Sequence, residues 1–168
     1  MEKIIDGIKK FKKESQSEYV KKYSHLTSGQ TPKTLFITCC DSRVVPTTFT
    51  SSEPGDLFVF RNVGNKVAPY KNENSYESDA YKAIEYGIKK LKISDIIICG
   101  HSECGAMNED DEKSKQNVIK QIENIKTYQI IKDEISSENL KINGLWFEIK
   151  TANVYKYLPE TNEFEIIK

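Results

Sequence analysis

The sequence predicts an α/β fold: a mainly parallel central β-sheet flanked by helices, with an N-terminal helical arm and an antiparallel edge strand near the C-terminus. Three features carry that expectation. The runs Leu35-Phe36-Ile37 and Ile96-Ile97-Ile98 are apolar at every position, as in strands buried on both faces. Between and after them, apolar residues recur at the three-to-four spacing of a helix. Strands alternating with helices in this way build a parallel sheet covered on both sides.

Residues 1–27 read as two amphipathic helices broken near Ser15-Gln16-Ser17, with Ile4, Ile5, Ile8 and Phe11 sharing one face of the first. Residues 28–32 form a loop. The first strand runs through Leu35-Phe36-Ile37 into Thr38-Cys39-Cys40, and Asp41 to Pro46 turn out of it. Pro54-Gly55-Asp56 turns into a second strand, Leu57 to Phe60, followed by a loop over 61–65. Ala80, Ala83, Ile84, Ile88 and Leu91 mark a helix over 75–91. The strongest strand, Ile96 to Cys99, stops at Gly100. Residues 108–115 are polar and acidic and are expected to be an exposed connection, followed by one long helix over 117–135. Leu145 to Ile149 and Asn153 to Leu158 then read as strands joined by a turn at Lys150-Thr151-Ala152. No repeat or linker interrupts the chain, so residues 1–168 are expected to form one domain, with 1–27 as an arm.

Composition narrows the function classes. The 25 basic residues balance 25 acidic ones, which offers no field for a nucleic acid or an anionic membrane. No apolar run approaches the roughly 20 residues that cross a bilayer. The opening MEKIIDGIKK lacks the apolar core and small-residue cleavage site of a secretory signal, so a cytoplasmic location is expected. In such a reducing compartment the four cysteines read as metal ligands or core thiols before disulfides. Only two of the 25 basic residues are arginine, Arg43 and Arg61. In a lysine-rich chain these mark positions that need a planar, two-pronged guanidinium.

Two of the apolar strands end in candidate metal ligands: Cys39 after the first, and His101 with Cys104 after the strand at 96–99. Parallel α/β sheets bind ligands beyond the carboxyl ends of their strands, so both groups are delivered to one edge. Two thiolates and an imidazole suit zinc. Cys40 is expected to point away from Cys39 by strand alternation, Cys99 reads as core filler and His25 as a surface residue. Three ligands leave the open position of a catalytic rather than a structural site. The same alternation, continued, puts Asp41 and Arg43 on the Cys39 side, where the carboxylate can accept a hydrogen bond from a water on the metal or bind the metal itself, and the guanidinium can grip the carboxylate. Away from a metal such a pair would be a capping aspartate and a surface ion pair.

Cys39-Cys40-Asp41-Ser42-Arg43 together with His101-Ser102-Glu103-Cys104-Gly105 resembles the two signatures of the β-class carbonic anhydrases, Cys-x-Asp-x-Arg and His-x-x-Cys. Gly29-Gln30-x-Pro32, Pro54-Gly55-Asp56, Arg61-Asn62, Ala83-Ile84-Glu85-Tyr86 and Gly144-Leu145-Trp146 extend the resemblance along nearly the whole chain, nearest the plant-like branch. The resemblance implies zinc on Cys39, His101 and Cys104, and an Asp41–Arg43 pair at the reacting centre. It further implies substrate contacts from Gln30, Phe58, Val63, Tyr86 and Gly105, some of them from a neighbouring subunit of a homodimer or higher oligomer. The activity implied is zinc-dependent hydration of carbon dioxide to bicarbonate and a proton. Hydrolysis of carbon disulfide or carbonyl sulfide at the same site, or zinc binding without catalysis, stay open. Two departures from the family pattern stand out. Tyr81-Lys82 replaces small residues, and some thirty or more residues that usually follow the His-x-x-Cys signature are reduced to Met107 to Gln116.

Overall fold

Two helices, α1 (Glu2–Glu14) and α2 (Gln16–Tyr23), open the chain, and a short turn of 3₁₀ helix over Ser24–Ser28 follows. Their break falls at Ser15, as the sequence predicts. The computed structural model describes all 168 residues as two compact units, 1–30 and 31–168. In the first unit Ile4, Ile8 and Val20 are largely exposed, and Phe11 meets Tyr19 edge to face.

The second unit is built on a six-stranded sheet in the order β2-β1-β3-β4-β5-β6. Its strands are β1 (Thr34–Cys39), β2 (Leu57–Asn62), β3 (Asp95–His101), β4 (Lys141–Glu148), β5 (Asn153–Leu158) and β6 (Glu163–Ile166). The first four pair in parallel and the last two add antiparallel. The helices are α3 (Pro46–Phe49), α4 (Asp79–Tyr86), α5 (Asp111–Lys126) and α6 (Gln129–Ser136). None is long and apolar enough to cross a membrane.

Strand alternation divides the core. Leu35, Ile37, Ile96 and Ile98 pack with α4, α5 and α6 on one face, while Phe36, Cys99 and Phe147 lie with Val44 on the other. Cys99 is therefore a core thiol; burial pushes its pKa up to about 12.

The structure corrects four sequence expectations. Residues 111–116 belong to α5 rather than to an exposed connection, because the Asp110 side chain caps the helix by accepting the Lys113 N–H at 3.0 Å. The helix expected over 117–135 is two, broken where Tyr128 is fully buried and donates its hydroxyl to the Ala68 carbonyl at 2.9 Å. The helix expected over 75–91 starts at Asp79, where the Ser78 side chain caps it, and its last turn widens over Gly87–Leu91. The edge strand expected at Asn153 to Leu158 is followed by one more, β6, that the sequence reading did not include.

One close contact ties β3 to α5. A Cβ added at Gly100 would lie 2.7 Å from Val118 Cγ2 and 3.3 Å from the Ser114 carbonyl oxygen. Gly100→Ala must push α5 off the sheet beside His101, and we expect it to cost about 1–3 kcal/mol in urea unfolding.

Candidate metal centre

β1 and β3 run in parallel with Thr38 opposite Cys99, so Cys39 and His101 leave the sheet at the same edge. Ser102 and Glu103 turn the chain, Glu103 at φ 53°, and bring Cys104 back beside them. The ligand atoms of Cys39, His101 and Cys104 all lie within 4.8 Å of one another, and all three residues are buried.

The electrostatics fit a cation. His101 Nδ1 lies 2.8 Å from the Ser102 carbonyl, which can only accept, so Nδ1 carries the hydrogen and Nε2 the lone pair. That Nε2 is buried and has no hydrogen-bond partner. Burial also lowers the His101 pKa, which favours the neutral ligand form. Burial raises the Cys104 pKa, and Cys39 beside it adds to the effect, whereas the Ala106 and Met107 amides favour the thiolate. The Gly64 N–H donates to Cys39 Sγ at 3.4 Å. A divalent metal in this cluster would satisfy two thiolates and an orphaned imidazole lone pair at once. Cys40 is exposed.

Asp41 and Arg43 reach the site through the turn expected after the first strand, not by continued strand alternation. Residues 42–43 form a turn instead of continuing the strand, with the Val44 N–H bonded to the Asp41 carbonyl at 3.0 Å. Asp41 Oδ1 also accepts the Arg43 backbone N–H at 2.9 Å. The guanidinium then grips the carboxylate with two bonds, Nε to Oδ1 at 3.1 Å and Nη2 to Oδ2 at 2.9 Å. Asp41 Oδ2 lies 4.0 Å from His101 Nε2. The hydrogen bonds from Arg43 hold the Asp41 pKa down at about 2.

The sequence model of the carbonic anhydrase family ("Carbonic anhydrase") matches residues 34–116 and 108–154. The chain belongs to the carbonic anhydrase family. The two matched stretches overlap at 108–116. A carbonic anhydrase of Synechocystis sp. is 32% identical over 204 residues, covering 98% of this chain and 73% of that protein. One from Helicobacter pylori strain J99 is 29% identical, over 96% of this chain and 92% of that one. Among solved structures, the β-carbonic anhydrase CcaA aligns with a TM-score of 0.93 at 30% identity, covering all of this chain and 92% of that one. A β-carbonic anhydrase of the fungus Sordaria macrospora, described as tetrameric, shares the fold with a TM-score of 0.79 at 23% identity, covering 92% of this chain and 95% of that one.

The other predicted site residues are spread more widely. Val63 follows β2 at the metal edge with its side chain exposed, and the space beside Gly105 is open. Phe58 lies opposite Leu35, four residues or about 13 Å down β2 from Asn62, which pairs with Cys39. Tyr86 meets Phe58 at 5.8 Å between ring centroids. Gln30 is exposed and belongs to the first unit.

Several supports of the site lie outside the two signatures. Arg61 Nη2 donates to the Asp41 and Val44 carbonyls, each at 2.8 Å, and its Nε donates to the Cys39 carbonyl at 3.1 Å, bracing the loop that carries the Asp–Arg pair. Its rarity in a lysine-rich chain and the match of Arg61-Asn62 to the family pattern were the available signals. Ser114 donates to the His101 carbonyl at 2.7 Å and accepts from Trp146 Nε1 at 3.2 Å. Because α5 starts so soon after Cys104, its first turns buttress the metal loop directly.

Proposed function

We propose that this chain is a zinc-dependent carbonic anhydrase that interconverts carbon dioxide and bicarbonate, with Cys39, His101 and Cys104 as the zinc ligands. The observation that carries the reading is the buried Cys–His–Cys cluster with an unpartnered His101 Nε2, set 4.0 Å from a carboxylate turned aside by arginine. When bound, zinc supplies a water whose pKa falls from about 15.7 toward neutrality, and with it the nucleophile. The protein supplies orientation. Asp41, kept anionic by Arg43, can only accept a hydrogen bond, so it aims the lone pair of a water in the open position. No fourth protein ligand is in place, since Cys40 points to solvent and Asp41 is occupied by Arg43.

Substrate contacts are assigned to Gln30, Phe58, Val63, Tyr86 and the Gly105 backbone. Phe58 and Tyr86 lie down the sheet from their own chain's metal edge, so in this reading they serve the site of a second copy. A homodimer or larger assembly follows, which also gives the apolar face of Ile4, Ile5, Ile8 and Phe11 a surface to cover it. We expect light scattering at micromolar concentration to give at least twice the 19.3 kDa chain mass. A monodisperse monomer would contradict this. Two free thiol ligands suit a reducing, cytoplasmic setting.

Oxygen-isotope exchange between labelled carbon dioxide and water tests the activity. The zinc-loaded chain is expected to speed loss of the label and the chelated chain to leave it at the solution rate. Carbon disulfide hydrolysis without exchange would move the assignment to the sulfur analogues, and full zinc with neither activity would leave a metal-binding protein.

A further inference from the structure

We propose that Glu103 is a positioning residue for the Asp41–Arg43 pair, tying the guanidinium to the ligand loop so that the Asp41 carboxylate stays off the metal position. The inference deepens the function proposed above and rests on it. Arg43 divides its donors between two carboxylates without conflict. Nε and Nη2 serve Asp41, while Nη1 donates to Glu103 Oε2 at 2.9 Å and Nη2 also donates to the Glu103 carbonyl at 3.2 Å. The Arg43 side chain is 44% exposed, and these are its side-chain hydrogen bonds. Held by Asp41 alone, the two residues could move as a unit toward the metal, because Asp41 Oδ2 is already 4.0 Å from His101 Nε2.

The Glu103 backbone is itself held, although its side chain is 61% exposed. It sits in the left-handed region at φ 53°, where a non-glycine residue persists only when its surroundings hold it. Its N–H donates to Asp111 Oδ1 at 2.8 Å at the start of α5, and the next residue is Cys104. The anchor therefore runs from the first turn of α5 through Glu103 to Arg43 and then Asp41. An opposing effect acts through charge alone: a second anion on Arg43 weakens its pull on Asp41, and a negative group near the metal repels incoming anions.

Anion binding separates these effects, because the open position takes either an added anion or Asp41. The full chain, loaded with cobalt(II) in place of zinc, is titrated with thiocyanate at one fixed pH and read by its visible spectrum. Glu103→Ala is expected to bind thiocyanate about threefold more weakly than wild type. Glu103→Gln, which keeps an oxygen acceptor for Nη1, is expected to restore wild-type affinity, whereas Glu103→Asp, which keeps the charge but not the reach, behaves like alanine. Tighter or unchanged binding in Glu103→Ala overturns the proposal, as does an aspartate variant indistinguishable from wild type. Carbon dioxide turnover by the zinc-loaded wild type is scored separately. If turnover is absent while the thiocyanate pattern holds, the proposed function falls and the positioning role stands; turnover with the pattern absent removes only the role of Glu103.

Discussion

Cys104→Ala is expected to lower zinc from about one per chain to almost none after dialysis, and carbon dioxide hydration to the uncatalysed rate. The three proposed ligands leave no redundancy, so losing one thiolate removes a large share of the zinc affinity. No other side chain is placed to substitute. Cys40 is exposed, Cys99 lies in the core on the other side of the sheet from Ile98, and Asp41 is held by Arg43. Cys40→Ala is expected to keep full zinc. Zinc retained in Cys104→Ala and lost in Cys40→Ala, measured by atomic emission, would reverse the ligand assignment.

Arg43→Lys tests the second group of the site. An ammonium keeps the charge but cannot make the paired planar contacts that Nε and Nη2 make with Asp41. In the proposed mechanism Asp41 and a water compete for one position, so a looser Asp41 would close the site more often, and we expect activity to fall roughly tenfold. Zinc content stays near wild type, since no ligand is removed. A hydroxide competes with a carboxylate better than a water does, so wild-type activity is expected to climb from neutrality to about pH 9. Asp41 does not limit that range, because its pKa of about 2 leaves it anionic throughout. Zinc-loaded Arg43→Lys working at the wild-type rate across pH 7 to 9 would remove Arg43 from the site.

Much of the fold was readable because the informative residues are unambiguous. Runs such as Leu35–Ile37 and Ile96–Ile98 can hardly be anything but buried strands, and ending each in a potential ligand brings Cys39 and His101 to one edge. What escaped the reading depends on tertiary contacts. The turn after the first strand was legible, but not that Arg61 holds it by bonding the Asp41 and Val44 carbonyls. The break between α5 and α6 arises from burying Tyr128, whose apolar neighbours lie far away in the chain. Glu103 looked like any exposed acid between two motif residues, and its bond to Arg43 spans 60 positions. Gln30, Phe58 and Tyr86 could be aligned with a family pocket, yet Phe58 and Tyr86 sit away from their own chain's cysteines, which is why their assignment depends on a second copy.

The most direct measurement is stopped-flow carbon dioxide hydration as metal-free chain is titrated with zinc. The account predicts a rate that rises in proportion to zinc and levels off at about one zinc per chain. A chain carrying its full zinc while hydrating carbon dioxide no faster than buffer would contradict it.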